Sequence, residues 1–236
     1  MAIGAIALLA AGCGTSGGND ETDAASAPAA PTDPAAESGL PETGEYRPGD
    51  ACEDLAQGPW TNRTTEADLL EGVRNGNAPP FLGESGGLTF EVTELPTIDD
   101  YDDPSTLADP RALYEAWVDA GYQEGIDWRH GDHSDIAALT LVRFRDEGGA
   151  RAALSALLED YCGRAVEAKV LDDRSGMTVV RDSEAVRTIF VVDDVVVSVM
   201  SCGCYGTSTA DRKNLVDDWS AQAMDSLSVP ADGTTA

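Results

Sequence analysis

From Arg187 to Met200 the chain is almost continuously β-branched or aromatic, broken chiefly by Asp193-Asp194. Residues 187–192 and 195–200 read as two strands of a hairpin turning at those aspartates. Val195, Val196 and Val197 cannot alternate between core and water. This strand is therefore expected to be buried on both faces or to lie at the centre of a sheet.

The flanking sequence supplies the other elements. Residues 88–92 alternate after Gly86-Gly87 and read as a strand. Asp109-Pro110 has the form of a helix N-cap followed by a proline in the first turn, with Gly121 as the stop. Residues 136–144 are apolar and strand-forming. Asp146 can cap a helix whose Leu154, Leu157, Leu158 and Tyr161 recur at helical spacing and which Gly163 ends. Residues 166–171 and 177–181 read as strands, with Ser175-Gly176 as a turn. A last helix over 210–227, capped by Thr209, carries the stripe Val216, Trp219, Ala223 and Leu227. The expected fold class is α+β: one antiparallel sheet of about four or five strands, with about three helices packed on one face and disulfide staples.

The ends of the chain have a different character. Residues 1–12 contain no charge and are too short to span a bilayer, which takes about 20 apolar residues. They match the apolar region of a signal peptide. The run Leu9-Ala10-Ala11-Gly12-Cys13 resembles the lipobox of bacterial lipoproteins, with Ala10 where leucine is usual. That resemblance implies diacylglyceryl attachment and cleavage at Cys13. Residues 13–46 would then be the lipidated cysteine and a disordered acidic tether, because 14–46 is rich in Gly, Ser, Ala, Pro, Thr, Asp and Glu. A flexible chain of that length reaches roughly 30 Å. A single domain is expected over 47–229 and a disordered tail over 230–236. The implied address is the extracytoplasmic face of the cell membrane, held by the lipid alone.

The formal net charge is −28, from 43 acidic and 15 basic residues. Such a surface repels the phosphates of a nucleic acid and anionic lipid headgroups. Nucleic acid is therefore excluded as a partner. Beyond Cys13 four cysteines remain: Cys52, Cys162, Cys202 and Cys204. An even number outside the cytoplasm suggests two disulfides. If strands from 166 to 200 form a four-stranded meander, the last should end where the first began. The favoured pairing then joins Cys162 to Cys202 or Cys204, and Cys52 to the other.

Residues 188–227 place a Val-rich hairpin, a cysteine at the strand end and a terminal helix in succession. This order resembles the extracellular sensor domain of mycobacterial serine/threonine kinases and their lipoprotein relatives. The resemblance implies a ligand-sensing or scaffold domain with structural disulfides and no catalysis of its own.

Chemistry-bearing motifs are sparse. His130, Asp132 and His133 in Trp128-Arg129-His130-Gly131-Asp132-His133-Ser134-Asp135 have ligand types suited to zinc. A metal-dependent hydrolase built on His130 and His133 is one alternative, although Gly131 and Ser134 mark a turn and no HExxH helix is present. Cys202-Gly203-Cys204 could instead be a thiol–disulfide pair, which would need a lowered thiol pKa. Asp99, Asp100, Asp102 and Asp103 read as a solvated loop, without the spacing of a calcium loop. Asn62-Arg63-Thr64 matches a glycosylation sequon that a bacterial lipoprotein leaves unused. There is no GxSxG elbow and no phosphate loop. The reading is a non-enzymatic envelope lipoprotein that binds a small ligand or an envelope protein partner, without a cofactor or a resident metal.

Overall fold

A computed structural model describes residues 42–75, 90–97, 109–131, 135–181, 185–203 and 208–230. The expectations for the signal peptide, Cys13, the tether through residue 41, the 99–103 acidic cluster, Asp132, His133 and Cys204 lie outside these residues. So does the tail after residue 230.

The strands are β1 (Arg47–Pro48), β2 (Arg63–Thr64), β3 (Phe90–Leu95), β4 (Glu124–Gly131), β5 (Asp135–Arg143), β6 (Ala165–Val170), β7 (Gly176–Arg181), β8 (Ala185–Val192), β9 (Val195–Gly203) and β10 (Val229–Pro230). The helices among the described residues are α1 (Cys52–Ala56), α2 (Leu69–Arg74), α3 (Pro110–Asp119), α4 (Glu147–Cys162) and α5 (Thr209–Leu227). One sheet runs in the order β1-β6-β7-β8-β9-β5-β4-β3, and every neighbour on that path is antiparallel. Short β2 and β10 pair with each other beside the end of β8.

The hairpin forms as its composition demands. Val192 pairs with Val195 across Asp193-Asp194, and Asp193 takes a positive φ of 50°. Its strands lie in mid-sheet and are covered on both sides. Val196, Ile189 and Val191 join one core with Leu154, Leu157 and Leu158 of α4, Trp117 of α3 and Leu55 of α1. Val195, Val197, Val199, Phe190 and Val192 join the other, with Leu69, Leu70 and Val73 of α2 and Ala223 and Leu227 of α5. Each such side chain, fully buried, stabilises by about 1.5–3 kcal/mol relative to exposure.

Helices on one face only is therefore an expectation that fails. Strands apolar on both faces need cover on both, and α2 and α5 provide the second layer. The sheet is also larger than four or five strands, and among the described residues there are five α-helices where about three were expected. The unforeseen pieces are short, except β4. There Asp127 and Arg129 break the apolar pattern, although Ile126 and Trp128 are buried on alternate positions.

Local signals account for the boundaries. Asp109 and Asp146 accept from the backbone N–H of Ala112 and Gly149 as N-caps. Each such cap stabilises by about 1 kcal/mol. α5 is capped by Ser208, which accepts from Asp211 N, one residue before the expected Thr209. Gly121 ends the α3 segment at a φ of +87°, backbone that suits glycine. At Gly149 a Cβ would lie 2.2 Å from the carbonyl oxygen of Ala120, so glycine alone lets α4 start against the end of α3.

The disulfide joins Cys52 to Cys162, 110 residues apart, with a Cα separation of 5.3 Å. The expected bond from Cys162 to Cys202 or Cys204 is overturned. Ala165, Arg181, Ala185 and Cys202 stand in register across β6, β7, β8 and β9. Three strand spacings separate the first from the last, about 14 Å, which is twice the reach of a disulfide. The observed bond pins α1 to the last residue of α4. Closing so long a loop stabilises by up to about 4–5 kcal/mol.

Candidate functional site

The sheet face beneath α1, α3 and α4 changes character along its strands. At one end Leu95, Val142, Val196 and Val191 are apolar. One row on, Asp127, Thr140 and Ser198 stand in register on β4, β5 and β9. Beyond them come Arg129, Ala138, Met200 and Arg187, and then Cys202, Ala185 and Arg181. Asp127, Thr140, Ser198, Arg187 and Arg181 are all more than nine-tenths buried.

These buried polar groups are unevenly satisfied. Thr140 Oγ1 donates to Asp127 Oδ1 at 2.7 Å, and Arg129 Nε donates to Asp127 Oδ2. Ser198 Oγ makes no hydrogen bond. Arg187 Nη2 lies 2.8 Å from the Met200 sulfur. The guanidinium carbons of Arg181 and Arg187 both lie 4.9 Å from the centroid of the Tyr161 ring. Tyr161 immediately precedes Cys162, so the disulfide fixes the turn of α4 that holds the ring. Arg181 Nε has no hydrogen-bond partner, and among the described residues Arg181 makes no ion pair. Burial pushes its guanidinium below the usual arginine range, and the charge of Arg164 adds to that shift.

A second aromatic–cation cluster lies on the other face. Lys169 Nζ and Lys213 Nζ sit 4.7 and 3.9 Å from the Tyr46 ring centroid. Lys169 pairs with Asp217 and Lys213 with Glu167, each at 2.6 Å. Tyr46 Oη donates to Asp217 at 3.2 Å. Burial, and next the Asp217 charge, raise the Tyr46 phenol above its ordinary pKa. Among the described residues, Thr43, within the segment read as tether, bridges to Val170.

A third feature is an open groove of about 330 Å³ between the start of α3 and the end of α4. Leu113, Ala116 and Ala156 line it together with Asp109, Glu159 and Asp160. Asp160 accepts from the Asp109 N–H at 2.9 Å.

The structure separates the residues singled out from sequence. His130 is on β4, where its backbone pairs with Phe90 and Ala137. Its partners Asp132 and His133 fall outside the described residues. Among the described residues no group of three His, Cys, Asp or Glu side chains is placed to hold a metal. Cys202 is on β9, half-buried, and Cys204 lies outside the described residues. Among those residues no helix is long and apolar enough to cross a membrane. Sequence reasoning missed Arg181, Arg187 and Tyr161. The signal was present: each arginine lies within an apolar strand, where a charge must be buried or mark a strand end.

No protein-family model matches the chain, and no curated protein matches it. Among solved structures it is similar to the extracellular domain of PknH from Mycobacterium tuberculosis. Identity is 15%, coverage is 64% of this chain and 89% of that one, and the TM-score is 0.35.

Proposed function

We propose that the chain is a cell-envelope lipoprotein, held on the extracytoplasmic face by a lipid on Cys13. Its folded domain binds a small ligand or an envelope protein partner and performs no catalysis. The observation that carries the binding part is the polar end of the inner sheet face. Buried polar groups without hydrogen bonds destabilise a fold by about 1–3 kcal/mol each. Strand β9 buries the Ser198 hydroxyl without a hydrogen bond, a cost retained for something other than stability. The Cys52–Cys162 bond fits an oxidising compartment.

Ser198→Ala tests the binding reading without a known ligand. The variant should be more stable by about 1 kcal/mol in denaturant unfolding, because it removes an unpaired hydroxyl. A loss of stability would make the polar row structural and sink the reading. Intact-mass spectrometry of protein from its native host tests the address. An acylated chain beginning at Cys13 supports it, and an unlipidated chain refutes it.

A further inference from the structure

We propose that Arg181 and Arg187, whose guanidinium carbons each lie 4.9 Å from the centroid of the Tyr161 ring, form a seat for a small oxyanion: a phosphate or carboxylate group. The inference rests on the ligand-binding reading above and names the chemistry of the ligand.

The argument begins with scarcity. The chain has 43 acidic residues and 15 basic ones, so an acid is the commonest neighbour a buried cation could find. Arg63, Arg143, Lys169 and Lys213 each have one within ion-pair distance. Arg181 is only 7% exposed and has none among the described residues. A buried charge is tolerated when it is paired and hydrogen-bonded. What Arg181 has instead is a second guanidinium on the same ring and the added repulsion of Arg164. The end of α4 does attract positive charge through its backbone dipoles. That attraction supplies no acceptor to Arg181 Nε, which remains without a hydrogen bond. Asp160 attracts Arg181 only from beyond ion-pair distance, and its carboxylate accepts from the Asp109 N–H.

An oxyanion answers each of these features. Guanidinium groups bind phosphate and carboxylate through planar pairs of N–H donors, and they can do so while stacked on an aromatic face. The ring orients both arginines, and the neighbouring disulfide fixes the ring. The net negative charge of the domain works against long-range capture of an anion. The seat would therefore rely on direct contact and favour a group that is part of a larger ligand.

The test is titration of the full-length chain with inorganic phosphate and, separately, with acetate, at constant ionic strength, followed by calorimetry and by NMR of the arginine side chains. Saturable binding is expected, with Arg181 and Arg187 shifting together. Arg181→Met should weaken it at least about tenfold, the effect of losing a charged hydrogen bond. Lys169→Met, on the opposite face, should leave it unchanged. Preference for phosphate would point to a phosphate-bearing ligand, and preference for acetate to a carboxylate. If Arg181→Met does not fold, Arg187→Met and Tyr161→Leu give the same readout. Absence of saturable binding, or binding that Arg181→Met leaves intact, overturns the proposal. If Ser198→Ala gains stability while neither anion binds, the ligand-binding reading survives and the anion seat does not. If Ser198→Ala loses stability, the broader reading fails by itself.

Discussion

Two tyrosines in this molecule each hold two cations, and the two clusters are electrically opposite. Around Tyr46 the charges close on themselves: Lys169 pairs with Asp217, Lys213 with Glu167, and the phenol donates to Asp217. Around Tyr161 two arginines share the ring, and Arg181 has neither an ion pair nor an acceptor for Nε among the described residues. The same motif, a ring contacted by two cations, has an acid for each cation in one place, whereas in the other Arg181 has none among the described residues. Aromatic–cation contact alone therefore says little about role. The acids around it decide whether the charges of the cluster are matched.

The largest perturbation should come from the staple that serves only one of the clusters. Cys52→Ser should lower unfolding stability by about 2–5 kcal/mol. Hydrogen exchange should show lost protection at the end of α4 before any at Tyr46. Simultaneous loss at both would mean that the clusters are coupled through the sheet.

Next comes a contrast in sign. Lys169→Met leaves Asp217 without its lysine and should destabilise by about 1–2 kcal/mol. That is less than for a fully buried pair, because the Asp217 side chain is 35% exposed. Arg181→Met removes a cation that has no acid and should stabilise by about 1 kcal/mol in anion-free buffer. Denaturant midpoints of the two variants check this. Shifts in the same direction would erase the distinction between the clusters.

The smallest effect is a titration. Tyr46 has its phenol pKa raised by burial and by Asp217. Its contribution to stability is thus fully present below about pH 10, the ordinary tyrosine value, and is lost as pH rises above it. Ultraviolet titration of the six tyrosines should show one that ionises last, absent in Tyr46→Phe. Normal ionisation of all six would mean that the joint is looser than its hydrogen bond implies.

Much of the fold was legible because its signals are local. The Val-rich hairpin, the caps at Asp109 and Asp146 and the stripe of α5 act within a few residues of themselves. What escaped was long-range. Cys52 finds Cys162 because α1 packs on α4, and nothing near either cysteine encodes that. The meander argument failed on distance: adjacent strands are neighbours, but the first and fourth are not. The second helical layer was implied by Val195-Val196-Val197, yet α2 is too short to show a period. Arg63 illustrates the same limit. In the sequence it is the middle of a sequon, whereas in the fold its Nε donates to Ser228 at 2.6 Å and its charge meets Asp173. The site residues lay between these cases. Arg181 and Arg187 were conspicuous as charges in apolar strands, but their shared ring comes from another element.

The Tyr46 joint also has a chemical consequence. Lys169 and Lys213 are the only lysines in the chain, and both press on that one ring. Amine-directed reagents, whether dyes, crosslinkers or coupling resins, therefore find their side-chain amines at a single spot, beside the segment where the chain enters the sheet. Partial acylation would neutralise the cations on Tyr46 and expose Asp217 and Glu167 as unmatched acids. A labelled sample of this protein would be a sample with its entry joint altered.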